Sequence, residues 1–442
     1  MGPPVDPVPA AGGIPQSADV VIIGGGIIGV STALFLARRG VSVVLCEKGH
    51  VAGEQSSRNW GWCRRMGRDP RELPLVVEAL KLWDGMEQTV GEDVGFRRSG
   101  ILYLSETDTD IAHNQDWLRR AGDFALDSRI IEGRELAALL PGGQRGYKAA
   151  LYTESDGRAE PQKAAPAIAK AAQRAGAKIV QNCAVRSIER QAGRVSGVVT
   201  EQGTIRATAV VIAGGAWSSR LCADLGLRMP QLTVRASVMR TAPVEGGPDG
   251  AAWANGYAYR KRLDGGYTIA DGRTNYHDIV PASFRFLGDF LPLLKGNWRD
   301  VGLRFGTPFL NGHAGLLPAT GGEQSVYEAN RTLDPAPDAK LLQRARSNME
   351  AVFPFLKGVP LVQRWAGYID ATPDAVPVIA PVESVPGLVI STGFSGHGFG
   401  IGPAAGRLVA DLVTGDTPLV DPKPFRYERF IDGTRHRPTT GV

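Results

Sequence analysis

DVVIIGGGIIGVSTALFLARRGVSVVLCEK, residues 19–48, runs from a short β-branched stretch through a glycine-rich turn into a helical apolar pattern and a second apolar stretch. Residues 20–23 read as a buried parallel strand, since a strand covered on both faces needs no polar alternation. Gly24, Gly26 and Gly29 follow at GxGxxG spacing, and residues 30–39 carry apolar side chains at helical intervals. In such a turn the first glycine permits the bend, the second keeps bulk away from a pyrophosphate and the third lets the helix pack closely on its strand. Backbone N–H groups at a helix N-terminus bind anions, so Gly24, Gly26, Ile27, Ile28 and Gly29 form the expected phosphate cradle. Residues 41–45 make the second strand, and Glu47 just beyond it, beside Lys48, can take both hydroxyls of an adenosine ribose.

A chain of 442 residues is too long for one ordinary core and long enough to bury a cofactor between two domains. Its proline-rich start, MGPPVDPVPAAGGIPQ, has no basic head followed by an apolar segment and reads as a disordered leader. No apolar run reaches membrane-spanning length. Cys46, Cys63, Cys183 and Cys222 lack pair spacing, which suits a reducing compartment, with cytoplasm as the expected location and no metal cluster expected. The net charge of +5 is small, and paired basics such as Arg64 and Arg65, or residues 260–262, are too short for a nucleic-acid stripe.

Behind the second strand, GEQSSRNWGWCRR reads as a ligand-facing loop, because a simple connector has no use for Trp60 and Trp62 together. Ser56 and Ser57 are candidate phosphate donors or helix caps, with Arg58, Asn59, Trp60 and Gly61 beside them. Residues 72–90 read as helix, 95–104 as two strand pieces around a turn, and 111–121 and 134–140 as helices. The alanine-rich residues 161–175 form a helix stopped by Gly176, followed by a strand over 178–185 and a hairpin turned at Gln202 and Gly203. Residues 208–213 then run into GGAW, a second strand and glycine turn, where Gly214, Gly215 and Trp217 approach a ligand. From residue 232 the pattern turns to antiparallel strands at 234–240, 258–262 and 266–270, with helices over 281–294 and 337–349. The turn-rich residues 301–322 carry no clear element. A strand at 376–379 and another at 388–392 lead into GFSGHGFG and a helix over 403–413, and the remainder reads as a polar tail.

The ordered set VIIGGGIIG with Glu47, GEQSSRNWG, VVIAGGAWS, WAGYIDATPDAVPVI and GLVISTGFSGHGFGIGPAAGRLVADL resembles the FAD-dependent oxidoreductases that include D-amino-acid oxidase, glycine oxidase and monomeric sarcosine oxidase. The likeness spans residues 17–415. It implies an α/β fold: a discontinuous Rossmann-like FAD-binding domain (17–90, 154–228 and 361–418) with an inserted α+β substrate domain (91–153 and 229–360) on an antiparallel sheet. Residues 1–16 would be leader and 419–442 tail. The resemblance places FAD's diphosphate on the first glycine turn, its ribose on Glu47 and its adenine at Val185. Gly396, His397, Gly398, Phe399 and Gly400 would run beside the isoalloxazine, His397 as a backbone-positioning or catalytic residue. Gly367 stands where covalent members carry a nucleophile, so noncovalent FAD is expected.

The implied chemistry is oxidation of a carbon–nitrogen bond to an imine by hydride transfer to flavin N5, then hydrolysis, with oxygen or an electron carrier as acceptor. The competing readings are a 2-hydroxy acid oxidase or dehydrogenase and a non-catalytic flavin-binding subunit; a homo-oligomer is left open. Members that take amino acids place an arginine where Ile369 stands here. Either the substrate is an amine without the carboxylate that such an arginine clamps, or another arginine holds it, with Arg64 and Arg304 the candidates; Asp370 is a candidate partner for a cationic amine or an organiser of its loop, and Tyr259, Tyr267 and Tyr368 are candidate substrate contacts. Thr268 matches the position of a lysine that assists oxygen in the sarcosine-oxidase branch.

Overall fold

The computed structural model describes residues 2–297, 301–306, 324–434 and 438–439. Its centre is a six-stranded sheet in the order Val378–Pro381, Leu388–Thr392, Ala209–Ile212, Val20–Ile23, Val43–Cys46, Lys178–Val180. All neighbours are parallel except the edge strand Val378–Pro381. The inner strands are buried along their whole length except at Ala209, as uninterrupted β-branched runs demand. On one face the helix Ile27–Ala37 packs between Pro161–Arg174 and Gly398–Thr414. On the other lies a small antiparallel sheet of Val185–Gln191, Arg194–Thr200 and Gly203–Arg206.

The second unit is built on a ten-stranded sheet, and it is mixed where an antiparallel one was expected. Ile101–Ser105 runs parallel to Ala251–Ala254, and Asn275–Asp278 parallel to Val301–Arg304. The helix Ala339–Val352 covers one face through Leu342, Ala345 and Met349. The strand Leu361–Ala371, grouped by sequence with the nucleotide domain, pairs antiparallel with Leu232–Thr241 from one end to the other. It therefore carries the chain from the second sheet straight back to the first.

Other differences have local causes. The expected strand 178–185 breaks after Val180, because Asn182 takes a left-handed backbone conformation. The last long helix begins at Gly398 rather than residue 403, and Gly400 within it leaves room for the Trp62 carbonyl, which a Cβ would meet at 2.9 Å. The leader is extended and packed: the Asp6 N–H donates to the Gln162 carbonyl at 3.0 Å, and Val5 and Val8 lie on the core. The tail is not simply polar, since Phe425, Tyr427 and Phe430 are buried and Arg429 donates to Asp374 Oδ2 at 3.1 Å. Residues 307–322 of the turn-rich segment lie outside the described residues. Among the described residues no helix is long and apolar enough to cross a membrane.

Candidate active site

A cavity of about 1100 Å³ lies between the two sheets. Its volume reaches the top of the range for small-molecule pockets, roughly 300–1,000 Å³. One end is bounded by Glu47 and Val185, the middle by Gly24, Gly26, Ile28, Gly214 and Gly215, and the far side by Ser395, Gly396, His397 and Phe399. It opens beside the exposed His113 and Arg273.

The glycine turn is built as its spacing predicts. Gly26 caps the helix Ile27–Ala37 without a side-chain acceptor of its own, and Ser56 Oγ accepts the Ile27 N–H at 2.8 Å from across the cavity wall. Glu47 accepts the Gly25 N–H through one oxygen and the Gly49 N–H through the other, each at 2.7 Å. Burial pushes its carboxyl up, while Lys48 and these N–H groups pull it down. Lys48 donates to Glu54 and to the carbonyls of Asn330 and Arg331, so its three protons are engaged within the protein. Arg58 donates to Asp334 and the Ala366 carbonyl, both at 2.8 Å, while its Nε finds no acceptor among the described residues. Asn59 folds the loop by accepting the Gly61 N–H at 2.8 Å, and its neighbour Trp60 meets Trp62 edge to face at 5.1 Å. Ile27, Trp217 and Gly398 also reach the wall. Gly29, Ser57, Gly61 and Gly400 stand behind it; Ser57 donates to the Glu54 carbonyl at 3.2 Å and does not face the cavity.

Beyond the nucleotide-shaped track the surroundings change to aromatic and cationic. Trp60, Trp62, Tyr103, Trp117 and Trp253 line this end. Arg64 sits over the rings of Trp62 and Tyr103, at 5.7 and 5.2 Å, and donates to the Tyr103 hydroxyl and the Met66 carbonyl. Arg68, which the sequence reading passed over, is 3 % exposed, and its Nε and Nη1 find no acceptor among the described residues. Burial, and then the charge of Arg64, bring its guanidinium down to about 9. Trp62 Nε1 and Ser391 Oγ are likewise buried, unpaired and on the cavity wall. An unmade hydrogen bond at a buried group costs about 1–3 kcal/mol, so these atoms fit a wall built to receive polar ligand groups.

The expected substrate contacts at Tyr259 and Tyr267 and the expected anchor at Arg304 are corrected. Tyr259 and Tyr267 belong to the opposite face of the large sheet, where Tyr259 packs on Phe353 at 5.8 Å and the Tyr267 hydroxyl donates to the Pro248 carbonyl at 2.9 Å. Arg304 pairs with Asp338 and stacks on Tyr276, away from the cavity. Thr268 lies in a buried cluster with Arg260 and Glu160, and the neighbouring wall residue on its strand is Ala270. Asp370 does reach the wall, but its Oδ2 is within hydrogen-bond range of the Gly393 N–H (2.8 Å), Gln231 Nε2 (2.8 Å) and Thr392 Oγ1 (3.1 Å). It ties the loop together instead of presenting a free carboxylate. Tyr368 faces the cavity and donates to Asp278 Oδ2 at 3.3 Å; burial, then Asp278, pushes its hydroxyl up to about 12, which keeps it a donor. Tyr267→Phe is therefore expected to leave kcat/KM and flavin content unchanged while lowering stability by about 1 kcal/mol, measured by parallel kinetics and denaturant unfolding.

His397 closes the deep end. Its Nδ1 lies 3.0 and 3.2 Å from the two oxygens of Glu72, a residue with no exposed surface. Burial, and next Arg68, hold its imidazole below the usual range, while Glu72 opposes them.

Comparison with known proteins agrees with this architecture. The family model described as FAD dependent oxidoreductase matches residues 19–412. A glycine oxidase from Pseudomonas putida is 26% identical over 430 residues, covering 93% of this chain and 99% of that protein. The structure of an L-amino acid deaminase from Proteus myxofaciens in complex with anthranilate is 36% identical, with TM-score 0.91 and 96% of each chain covered. The L-amino acid deaminase of Proteus vulgaris is 32% identical with TM-score 0.89, covering 96% of this chain and 100% of that one.

Proposed function

Because the chain belongs to the FAD dependent oxidoreductase family, whose members are amino-acid and amine oxidases or dehydrogenases, we propose that it oxidises the Cα–N bond of an L-α-amino acid bearing a large apolar side chain. The imine so formed is hydrolysed to a 2-oxo acid and ammonia. FAD supplies the two-electron acceptor for the hydride that leaves Cα. The glycine turn and Ser56 would hold its diphosphate, Glu47 its ribose, and the loop 395–399 its ring system, all of which line the same cavity. A noncovalent flavin is proposed, since Gly367 stands where the resemblance places the nucleophile of covalent members.

The observation that carries this reading is Arg68, a buried guanidinium with unpaired N–H groups on the wall of the same cavity. A carboxylate is the ligand that such a fork suits best, because two charge-assisted hydrogen bonds fix it in one plane. Arg68, with Arg64 beside it, replaces the anchor missing at Ile369. The aromatic walls then take the side chain. The preference for the L series rests on the similarity to the two deaminases.

Anaerobic mixing of the holoenzyme with L-phenylalanine, D-phenylalanine, phenethylamine and 2-hydroxy-3-phenylpropanoate tests the assignment. The expected result is bleaching of the oxidised flavin by L-phenylalanine far faster than by the others. Equal or faster bleaching by the hydroxy acid overturns it. Reoxidation of the bleached protein in air separates oxygen from a carrier as the acceptor.

A further inference from the structure

Resting on the amino-acid reading above, we propose that His397 is the base that takes the substrate's ammonium proton, and that Glu72 orients it by holding the other imidazole proton on Nδ1. The demand comes from the chemistry. An α-amino acid enters as an ammonium ion with no lone pair on nitrogen, and departure of hydride from Cα leaves electron deficiency that only such a lone pair relieves. The nitrogen must lose a proton first, at a place screened from water.

Few groups on the wall can accept it. The carboxylates on the wall are committed elsewhere: Glu47 and Glu54 belong to the nucleotide end, where Glu54 also pairs with Lys48, Asp110 caps its own helix, Asp271 pairs with Arg344, and Asp370 ties its loop to Gly393 and Gln231. His113 is exposed at the mouth. His397 is deep, lines the cavity, and its Nε2 makes no hydrogen bond among the described residues. With Glu72 as the acceptor, the contact of both its oxygens with Nδ1 favours the tautomer that carries the proton on that nitrogen and the lone pair on Nε2.

The charged groups facing the ring are Glu72, Arg68 and Arg64. Before substrate binds, burial and the two guanidinium charges keep the imidazole neutral. A carboxylate on Arg68 cancels much of that field, so the ring becomes more basic when an amino acid arrives. The N–H bond of the ammonium then breaks, its electron pair stays on nitrogen, and the proton moves to Nε2 to give an imidazolium paired with Glu72. It leaves to water with the product. His397 is thus a catalytic residue and Glu72 a positioning residue.

The test uses the FAD-loaded protein. In anaerobic reduction by saturating L-phenylalanine, His397→Gln is expected to be about 10²-fold slower than wild type near pH 7. It should converge to within about threefold above the amine's own pKa, where the substrate arrives already deprotonated. Glu72→Gln should shift the acid limb of the pH profile to lower pH and lower the plateau, because the imidazolium has lost its counter-charge, and Glu72→Asp should restore part of both. In a second measurement, phenylacetate, which carries the carboxylate without the amine, is titrated into weakly buffered holoenzyme with a pH indicator. Wild type should take up a fraction of a proton per bound molecule and His397→Gln none. Rates lowered equally at every pH, or binding without proton uptake by wild type, overturn the proposal. If a variant loses its flavin, proton uptake by the unmodified protein decides alone. Wild-type flavin left unreduced by L-phenylalanine removes the functional reading itself, and the base with it.

Discussion

Arg68→Met is expected to lower kcat/KM for L-phenylalanine by about 10²–10³-fold, while phenethylamine, the same molecule without its carboxylate, changes by less than about threefold. The argument is a comparison of magnitudes. A hydrogen bond to a charged group contributes about 1.5–3 kcal/mol, and two parallel bonds from one guanidinium reach the range that corresponds to two or three decades in rate. The buried position of Arg68 prevents water from replacing them. Arg64 is already occupied by Met66 and Tyr103, so Arg64→Met should cost less, about tenfold. Steady-state kinetics of both substrates, at a pH above the imidazole's titration, check the split. An equal loss for acid and amine would place Arg68 in the architecture of the loop and not on the carboxylate.

Gly29→Ala should yield protein with little or no bound flavin. A Cβ there would sit 2.0 Å from the Gly24 carbonyl oxygen, so the helix Ile27–Ala37 must move off its strand. Gly24 cannot yield, because it has φ +112° and its own Cβ direction points at the Ala213 carbonyl, 2.4 Å away. Overpacking of this kind costs about 1–3 kcal/mol, and the displaced N-terminus no longer aims its N–H groups at the diphosphate. The flavin-to-protein absorbance ratio after purification, with a thermal unfolding scan, reads the effect. Wild-type occupancy would show that the turn tolerates a side chain and has no cradle to lose.

The nucleotide-binding half was largely legible in the sequence because its signals are local. Strand, turn, helix and acid follow one another within residues 20–47, and each is dictated by neighbours along the chain. The substrate end was less legible. The sequence places Tyr259 and Tyr267 on two neighbouring strands, but only packing against the helix Ala339–Val352 determines which face of the sheet they take. Arg68 and Glu72 stand in GRDPRE, a run that reads as an ordinary charged approach to a helix. Their significance arises from His397, more than three hundred residues away, and no spacing rule spans that distance. The sequence leaves Asp370 between an amine partner and a loop organiser, because the donors that decide it come from residues 231 and 392–393.

The strand Leu361–Ala371 has a mechanical consequence. Its length is stitched to Leu232–Thr241 in one sheet, while Asp370 near its end is bolted to Gly393 at the margin of the other. A single continuous strand thus joins both halves. The exposed His113 and Arg273 on the cavity wall mark where solvent meets the space between the two halves.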